Sequence, residues 1–491
     1  MRHENDMILQ NDFLQKALPE AIIVCGNELL GTMLLSVGVS ERAQIWLNKH
    51  VDAVHVSIDS RDVERGGFFC AIKGSNVDGH EYINEAIMSG SRGIIMARSY
   101  LNHLDQGALL DTILLIIVED PYQAVIDLAC AWRAHLTCPI IGVTGSVGKT
   151  TTKEMLRKIF EYNHIPATVS EKTYNTDLGI SLSLIKARLN DRVVVCEVGI
   201  NAVGEMDRCV GILRPTIVIV TNIFDSHGQG LGNSASIAHE KLKLVSLLKP
   251  EDLVCINGDD PLLINREYSQ RVITFGSGES NDVVCRNIQL IFPFCVFDLY
   301  LDKVTRIPVS LRMAHRGAVY DALAAVAIAL QFGLEIQPIV NALQDYYPFY
   351  RRFQQKSLGA CVGTIIDDSY NASPASMQVA LEAFDAICGE KKIVVLGDML
   401  ELGDGSLEKH EHIGKLVSSV QGMQAAIFVG SLAHHMAKTV TSGIPVICVK
   451  DWEEAYDKLQ PELSHGVFVL IKASLRVGLD RLVKKLRTST L

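Results

Sequence analysis

Residues 140–154 read IIGVTGSVGKTTTKE, and they constrain this chain more than any other stretch. A β-branched apolar run ends in a glycine-bracketed turn. Lys149, Thr150 and Thr151 follow, and then a helix-forming segment. A phosphate-binding loop needs that order. The loop Gly145, Ser146, Val147, Gly148 can turn backbone N–H groups inward on phosphate oxygens, Lys149 adds a mobile positive charge, and the Thr150 hydroxyl can sit on Mg²⁺. The next helix points its positive dipole end at the same phosphates. The stretch implies binding of ATP or GTP. It departs from the usual pattern, which wants glycine where Val143 stands. The bland alternative is a chance glycine-lysine-threonine turn. The agreement of strand, loop and helix signals in the right order speaks against it.

A chain of 491 residues is too long for one core, and length alone suggests about three domains. The hydrophobic fraction of 48% against 21% charged leaves enough apolar material for substantial cores. A net charge of −10 argues against a nucleic-acid partner, which would leave a basic footprint. The 12 cysteines form no C-x-x-C and no zinc spacing, so they read as small buried apolar residues of an intracellular chain. The opening MRHENDMILQND is too polar for a signal peptide. The apolar stretch near residues 21–39 is interrupted by Gly26, Glu28, Gly31 and Gly38, so it falls short of a membrane span. These features predict a cytoplasmic protein without membrane insertion.

Three segments follow from the pattern. Residues 1–135 mix strand-like pieces (AVHVSIDS, GGFFCAIKG, RGIIMA) with helix-like ones and end in DPYQAVIDLACAWRAHL, before Cys138-Pro139 breaks the pattern. Residues 136–345 alternate buried strands (PIIGVTG, VVVCEVG, TIVIVTNI, LVCINGDD) with amphipathic helices, which suits a parallel sheet covered on both faces. An alanine-rich helix closes this segment, with a stop at Gly333. Residues 346–491 form a Rossmann-like α/β series whose strands TIIDDSYN, KIVVLGDM, AAIFVGS and VFVLIKAS each run into a polar turn. Ligands of such sheets bind at the carboxyl ends of the strands. Asp367, Asp368, Gly397, Asp398, Gly430, Lys472 and Ser474 stand there. The fold class is therefore α/β with a central parallel-sheet phosphate-loop domain.

Individual side chains add chemistry. Glu197 ends the strand that follows the loop by one crossover unit, where a carboxylate can hold Mg²⁺; otherwise it is a surface glutamate. His227 lies in the glycine-rich TNIFDSHGQGLG and could reach a metal or phosphate, although a lone loop histidine is usually only that. Lys241, in AHEKLKLV, reads by itself as a solvated helix lysine, much like Lys243. Asn175, Thr176 and Asp177 in EKTYNTDLG suit a turn and a substrate loop equally well.

Taken together, TGSVGKTT, Glu197, His227, Lys241, DDSYNASP and GDMLELG resemble the Mur ligases of peptidoglycan synthesis, over nearly the whole chain. SIDSRDVERGGFFCAIKGSNVDGHEYINEA resembles the family's uridine-nucleotide-binding domain, and IIDDSYNASPASM with VVLGDMLELGDGSLEKHEHIG its C-terminal domain. The resemblance implies an ATP-dependent amide ligation. The terminal carboxylate of UDP-N-acetylmuramoyl-tripeptide attacks the γ-phosphate, and the amine of D-alanyl-D-alanine then attacks the resulting acyl phosphate. It implies a monomeric enzyme. Gly145 to Thr151 would cradle ATP. Thr150, Glu197 and His227 would hold Mg²⁺, and Lys241 stands where the family carries a carbamylated lysine. Ser60 and Arg61 would contact the uridine diphosphate, and Asn175, Thr176 and Asp177 would face the muramoyl-peptide. Arg351 and Asp368 would approach the nucleotide, while Tyr370, Asn371, Lys472, Ser474 and Arg476 would line a closing interface.

Some motifs depart from the family. MAHRGAVYDALAA keeps Arg316 but has Gly317 and Ala318 where the family has histidine and asparagine. The C-terminal lysine-glycine-serine-arginine appears as KASLR, and asparagine-alanine-asparagine as NAS, ending at Ser373. The competing readings are a sibling ligase adding a single amino acid, a folylpolyglutamate-type synthase, and a nucleotide-binding ligase that has lost activity. A motor or signalling NTPase finds no coupling motif.

Overall fold

The computed structural model describes residues 11–25, 38–40, 42–44, 55–104, 113–224, 231, 234–358, 363–389, 391–441 and 443–488. Three sheets carry it. The first has strands β1 Ile22–Cys25, β2 Gly38–Val39, β3 Val56–Ser57, β4 Phe68–Cys70, β5 Gly93–Ala97 and β6 Leu114–Val118, in the order β2-β1-β6-β5-β4-β3. All its pairs are parallel except β1 with β6. The second has β7 Ile140–Thr144, β8 Ala167–Val169, β9 Val193–Glu197, β10 Ile217–Val220, β11 Leu253–Asn257, β12 Arg271–Gly276, β13 Val283–Ile291, β14 Phe294–Tyr300 and β15 Ile307–Leu311. Its order is β15-β14-β13-β12-β11-β10-β7-β9-β8. The third has β16 Gln354–Ser357, β17 Thr364–Asp367, β18 Lys392–Gly397, β19 Met423–Val429, β20 Val446–Val449 and β21 Phe468–Lys472, in the order β16-β17-β21-β18-β19-β20.

The central strands β7, β9, β10 and β11 are buried at every residue, as their unbroken apolar runs require. The run from β10 through β13 pairs in parallel, whereas β13, β14 and β15 form an antiparallel meander. In the third sheet the four apolar runs read from the sequence become β17, β18, β19 and β21. All their pairings are parallel, and β16 adds an antiparallel edge.

The helices that matter for the site are α1 (Pro121–Arg133), α2 (Lys149–Tyr162), α3 (Asp177–Ile185), α4 (Ser234–Leu242), α5 (Arg316–Gln331), α6 (Pro374–Asp385) and α7 (Ser406–Ser419). Helix α5 ends as its sequence demands, with Gly333 at φ +73° one residue beyond the cap. No helix among the described residues is long and apolar enough to cross a membrane.

Two compact units emerge, and neither is one continuous piece of chain. The first comprises residues 1–142, 165–199 and 207–216, the second 143–164, 200–206 and 217–491. Strand β7 therefore contributes to both. In the first unit α1 packs on α3: the Trp132 indole donates to the Ala187 carbonyl at 2.9 Å, and the Tyr122 hydroxyl donates to Asp177 Oδ1 at 2.6 Å. In the second, Leu482, Val483 and Leu486 of the C-terminal helix cover one face of the third sheet, against Ile393, Val395, Ile427 and Val469.

Candidate active site

The phosphate loop lies in the second unit, between the end of β7 and α2. Gly145 has φ +144°, and a Cβ there would meet Thr221 Oγ1 at 2.0 Å. Gly148 caps α2 at φ +88°, and a Cβ there would lie 2.0 Å from Asp321 Oδ1. Only glycine satisfies either position. Residues 221–224 clamp the loop. Val147 N–H donates to Asn222 Oδ1 at 2.9 Å, and the Asn222 amide and Thr221 hydroxyl donate to the Val147 carbonyl at 3.0 and 2.6 Å. Ser146 Oγ accepts from Phe224 N–H and donates to the Phe224 carbonyl, both at 2.9 Å. Lys149 folds back over the turn, its Nζ donating to the Gly145 carbonyl at 2.8 Å and to that of Ser146 at 3.3 Å.

A cavity of about 710 Å³ opens beside the loop. Val147, Gly148 and Thr151 form one wall, and Arg352, Phe353, Asp368 and Lys472 another. Arg316, Gly317, Tyr320 and Asp321 come from α5. Apolar faces of Ile223, Phe224, Pro261, Leu262 and Val379 complete the lining.

The second wall is a charge network. Lys472 Nζ donates to Asp368 Oδ2 at 2.6 Å and to the Asn371 carbonyl at 2.9 Å, and Asp368 Oδ1 accepts from Phe353 N–H at 3.1 Å. Burial pushes the Lys472 amine below its ordinary range, while Asp368 pulls it back up. His315 caps α5 by accepting the Ala318 N–H at 3.0 Å, and its ring meets Phe353 edge-on. Burial lowers the His315 pKa to about 4, with Asp368 opposing. The Arg352 guanidinium stacks on Tyr370 and donates to Thr150 Oγ1 at 3.4 Å.

Several expectations need correction. Arg351, expected at the nucleotide, instead pairs with Asp480 at 2.6 Å, and its neighbour Arg352 lines the cavity. Of the strand-end residues in the third sheet, only Asp368 and Lys472 reach the lining. Asp367 accepts from Ser369, Asp398 accepts the Ala433 N–H at 2.6 Å, and Ser474 Oγ accepts the Leu400 N–H at 2.9 Å, so these three hold turns. Asn371 contributes its carbonyl, and Arg476 is exposed. Lys241 is no solvated lysine. It is 1% exposed, and burial, with Lys149 nearby, pushes its amine well below the ordinary lysine range. His227 lies outside the described residues.

The first unit holds the other expected groups. Glu197 is 1% exposed, and its Oε1 accepts from the Asn175 amide at 3.0 Å. Thr176 caps α3 through Gly179 N–H, and Asp177 takes the Tyr122 hydroxyl and the Leu178 N–H. Two of these three loop residues therefore do turn-building work. Ser60 is buried in a short turn, and the exposed Arg61 forms a two-pronged pair with Asp59 at 2.8 and 2.6 Å. A cavity of about 540 Å³ in this unit is lined by Lys73, Asp78, His80, Tyr100, Asp120 and Tyr122 among others, with neither Ser60 nor Arg61 among them.

Sequence reading missed His315, Asp321 and Arg352. The tandem Arg351-Arg352 gives no local cue for which side chain turns inward. Asp321 did carry a signal, as the single acid in an otherwise alanine-rich helix.

The model of the Mur ligase middle domain matches residues 143–329, that of the Mur ligase glutamate ligase domain residues 351–475, and that of the Mur ligase family catalytic domain residues 53–100. The UDP-N-acetylmuramoyl-tripeptide–D-alanyl-D-alanine ligase of Bacillus subtilis is 31% identical over 441 residues, covering 89% of this chain and 93% of that one. The ligase of the same name from Treponema pallidum is 31% identical over 88% of this chain and 93% of its own. Crystal structure I of MurF from Acinetobacter baumannii superposes with a TM-score of 0.79 at 24% identity, covering 100% of both chains. MurF from Thermotoga maritima, in complex with ADP, gives 0.72 at 24% identity, over 88% of this chain and 97% of that one.

Proposed function

The chain belongs to the Mur ligase family, and on that premise we propose that it joins D-alanyl-D-alanine to UDP-N-acetylmuramoyl-tripeptide, driven by ATP, as a cytoplasmic monomer. The carrying observation is one cavity shared by the phosphate loop and the Arg352–Asp368–Lys472 wall. The proposed domains are 1–135 for the uridine nucleotide, 136–345 for ATP and 346–491 for the acceptor side.

A carboxylate at neutral pH is a poor acyl donor, because oxide is a poor leaving group. Its oxygen attacks the γ-phosphorus of ATP, the bond to the bridging oxygen breaks, and ADP leaves an acyl phosphate. The free amine of D-alanyl-D-alanine then attacks the acyl carbon, and phosphate departs with the amide formed. Two anions must meet in the first step, so cations and N–H dipoles have to offset their repulsion. Lys149 Nζ, now on loop carbonyls, swings to phosphate oxygens, and the N–H groups at the start of α2 face the same oxygens. Arg352 adds a second cation next to Thr150. Ser60 and Arg61 serve the uridine diphosphate end, and Asn175 serves the muramoyl-peptide while orienting Glu197.

A carboxylate such as that of Glu197 and a hydroxyl such as that of Thr150 are the kinds of oxygen donor that Mg²⁺ prefers. Thr150, Glu197, His227 and Lys241 would hold it, and it would neutralise charge on the phosphates. Burial and the nearby Lys149 push the Lys241 amine well below the ordinary lysine range, which favours the neutral form that adds carbon dioxide. A new N–C bond with loss of a proton turns it into an anionic carbamate with oxygen donors. Lys241→Arg keeps a cation but forms no carbamate, so activity should fall at least about a hundredfold and bicarbonate should not restore it. Full activity in that variant would remove the carbamate from the scheme.

The decisive assay is phosphate release from ATP with UDP-N-acetylmuramoyl-tripeptide, with and without D-alanyl-D-alanine, with mass detection of product. Release that needs the dipeptide and yields a pentapeptide supports the reading. Release with a single amino acid instead moves the chain to a sibling reaction. ATP binding without release in either case indicates a ligase that has lost activity.

A further inference from the structure

We propose that Asp321 acts as a neutral carboxylic acid that donates a hydrogen bond to the bound nucleotide, so that nucleotide binding keeps a proton on this side chain. The proposal deepens the nucleotide reading of the cavity and rests on it.

Asp321 lines the cavity next to Gly148, Thr151 and Arg352 and is 4% exposed. Its Oδ1 presses on the bare Cα of Gly148, at the turn that starts α2. Its hydrogen-bond partner is the Thr152 hydroxyl at 3.3 Å, which is long for an O–H donor. No ion pair to Asp321 is formed within 4 Å among the described residues. The charged groups that face it are Lys149 from the loop and Arg352 from the opposite wall, with the buried Tyr346 hydroxyl nearby. Lys149 is held by loop carbonyls. Lys153 and Glu154 of α2 pair with each other at 2.7 Å. On its own helix, the Tyr320 hydroxyl is committed to Asp259, and Arg316 is exposed.

An anion buried here would face the phosphates of the nucleotide, and those phosphates would compete for Lys149. Burial favours the protonated form and raises the Asp321 pKa well above the ordinary carboxylate range. The protonated acid has what the anion lacks, an O–H donor. Phosphate oxygens and ring nitrogens of the nucleotide are acceptors for such a donor. A carboxylic acid kept neutral by burial so that it can donate is an established way to bind developing or resident negative charge.

The test is the affinity for Mg-ADP between pH 7 and 9, above the second phosphate ionisation near pH 6, by calorimetric titration of the intact chain. The expected wild-type dissociation constant rises with pH, by up to about tenfold per unit once the acid ionises. Asp321→Asn donates at every pH. It should match the wild type at pH 7 and stay flat. Asp321→Leu, which cannot donate, should bind roughly tenfold more weakly at all pH values. The proposal is overturned by a wild type that tightens as pH rises, by Asp321→Asn binding more than about tenfold more weakly at pH 7, or by Asp321→Leu binding like the wild type. Circular dichroism of each variant separates binding loss from misfolding, and the isosteric Asp321→Asn keeps the test alive should the leucine variant not fold. A wild type that binds no ADP at any pH overturns the nucleotide reading itself, a result distinct from any of these.

Discussion

The two walls of the cavity in the second unit are made in different ways. The phosphate loop is a backbone object. Gly145 and Gly148 hold conformations that other residues resist, and the Thr221 hydroxyl and Asn222 amide fasten the turn at the main-chain carbonyl of Val147. The facing wall is a side-chain object. Lys472 comes from a stretch of chain distant from Arg352 and Asp368, and an ion pair and a stacked guanidinium hold the three in place. A backbone wall keeps its shape when a neighbour changes, while a side-chain wall depends on every partner. The first therefore suits binding the invariant phosphates, and the second suits a step that has to open and close.

The largest effect expected from this contrast is at the loop. Lys149→Ala removes the one loop cation, and product formation should drop by about a thousandfold or more. Uridine-nucleotide binding by the first unit should survive. Normal turnover in that variant would mean that the cavity is not the ATP site.

Next in size, Arg352→Ala should lower kcat/KM by roughly ten- to a hundredfold, the worth of one charge-assisted contact. Its neighbour sharpens the comparison. Arg351 pairs with Asp480 away from the cavity, so Arg351→Ala should change kcat/KM less than about twofold while costing about 1 kcal/mol of stability. Equal kinetic losses in the two variants would erase the distinction between them.

The smallest effect is one of pH on stability. His315 stays neutral in the fold down to about 4, because burial disfavours its charge, whereas in the unfolded chain it protonates near 6.5. Between those values the unfolded state binds more protons, so stability falls as pH drops through the window, by at most about 3 kcal/mol. Asn caps helices well, so His315→Asn keeps the cap and removes the titration. Urea unfolding at pH 7, 6, 5 and 4.5 should then show a shallower decline than the wild type. Identical slopes would show that His315 does not carry the effect.

The loop wall could be read from the chain because its requirements are local: apolar run, glycines, lysine, threonines, helix. The same holds for β9, β10 and β11, whose continuous burial needs only neighbouring residues to be apolar. The meander β13 to β15 was not anticipated, although the later part of β13 does alternate between half-buried and exposed positions. The facing wall was only partly legible. Asp368 and Lys472 sit at strand ends, where an α/β sheet binds ligands, yet Asp367, Asp398 and Ser474 stand in equivalent places and hold turns instead. Lys241 was misread on its own residues because a helix lysine carries no mark of its burial; the neighbours that desolvate it come from tertiary packing.

The interleaving of the two units has a consequence for synthesis. A ribosome that has released only the first 135 residues has not made a finished body. The Trp132 indole and the Tyr122 hydroxyl still await Ala187 and Asp177, and the last piece of the first unit ends at residue 216. The strand that carries the phosphate loop emerges before either unit is complete. The nascent chain must therefore hold an apolar face unpaired over that interval, a period in which chaperones can bind it and in which a slow stretch of translation would do most harm.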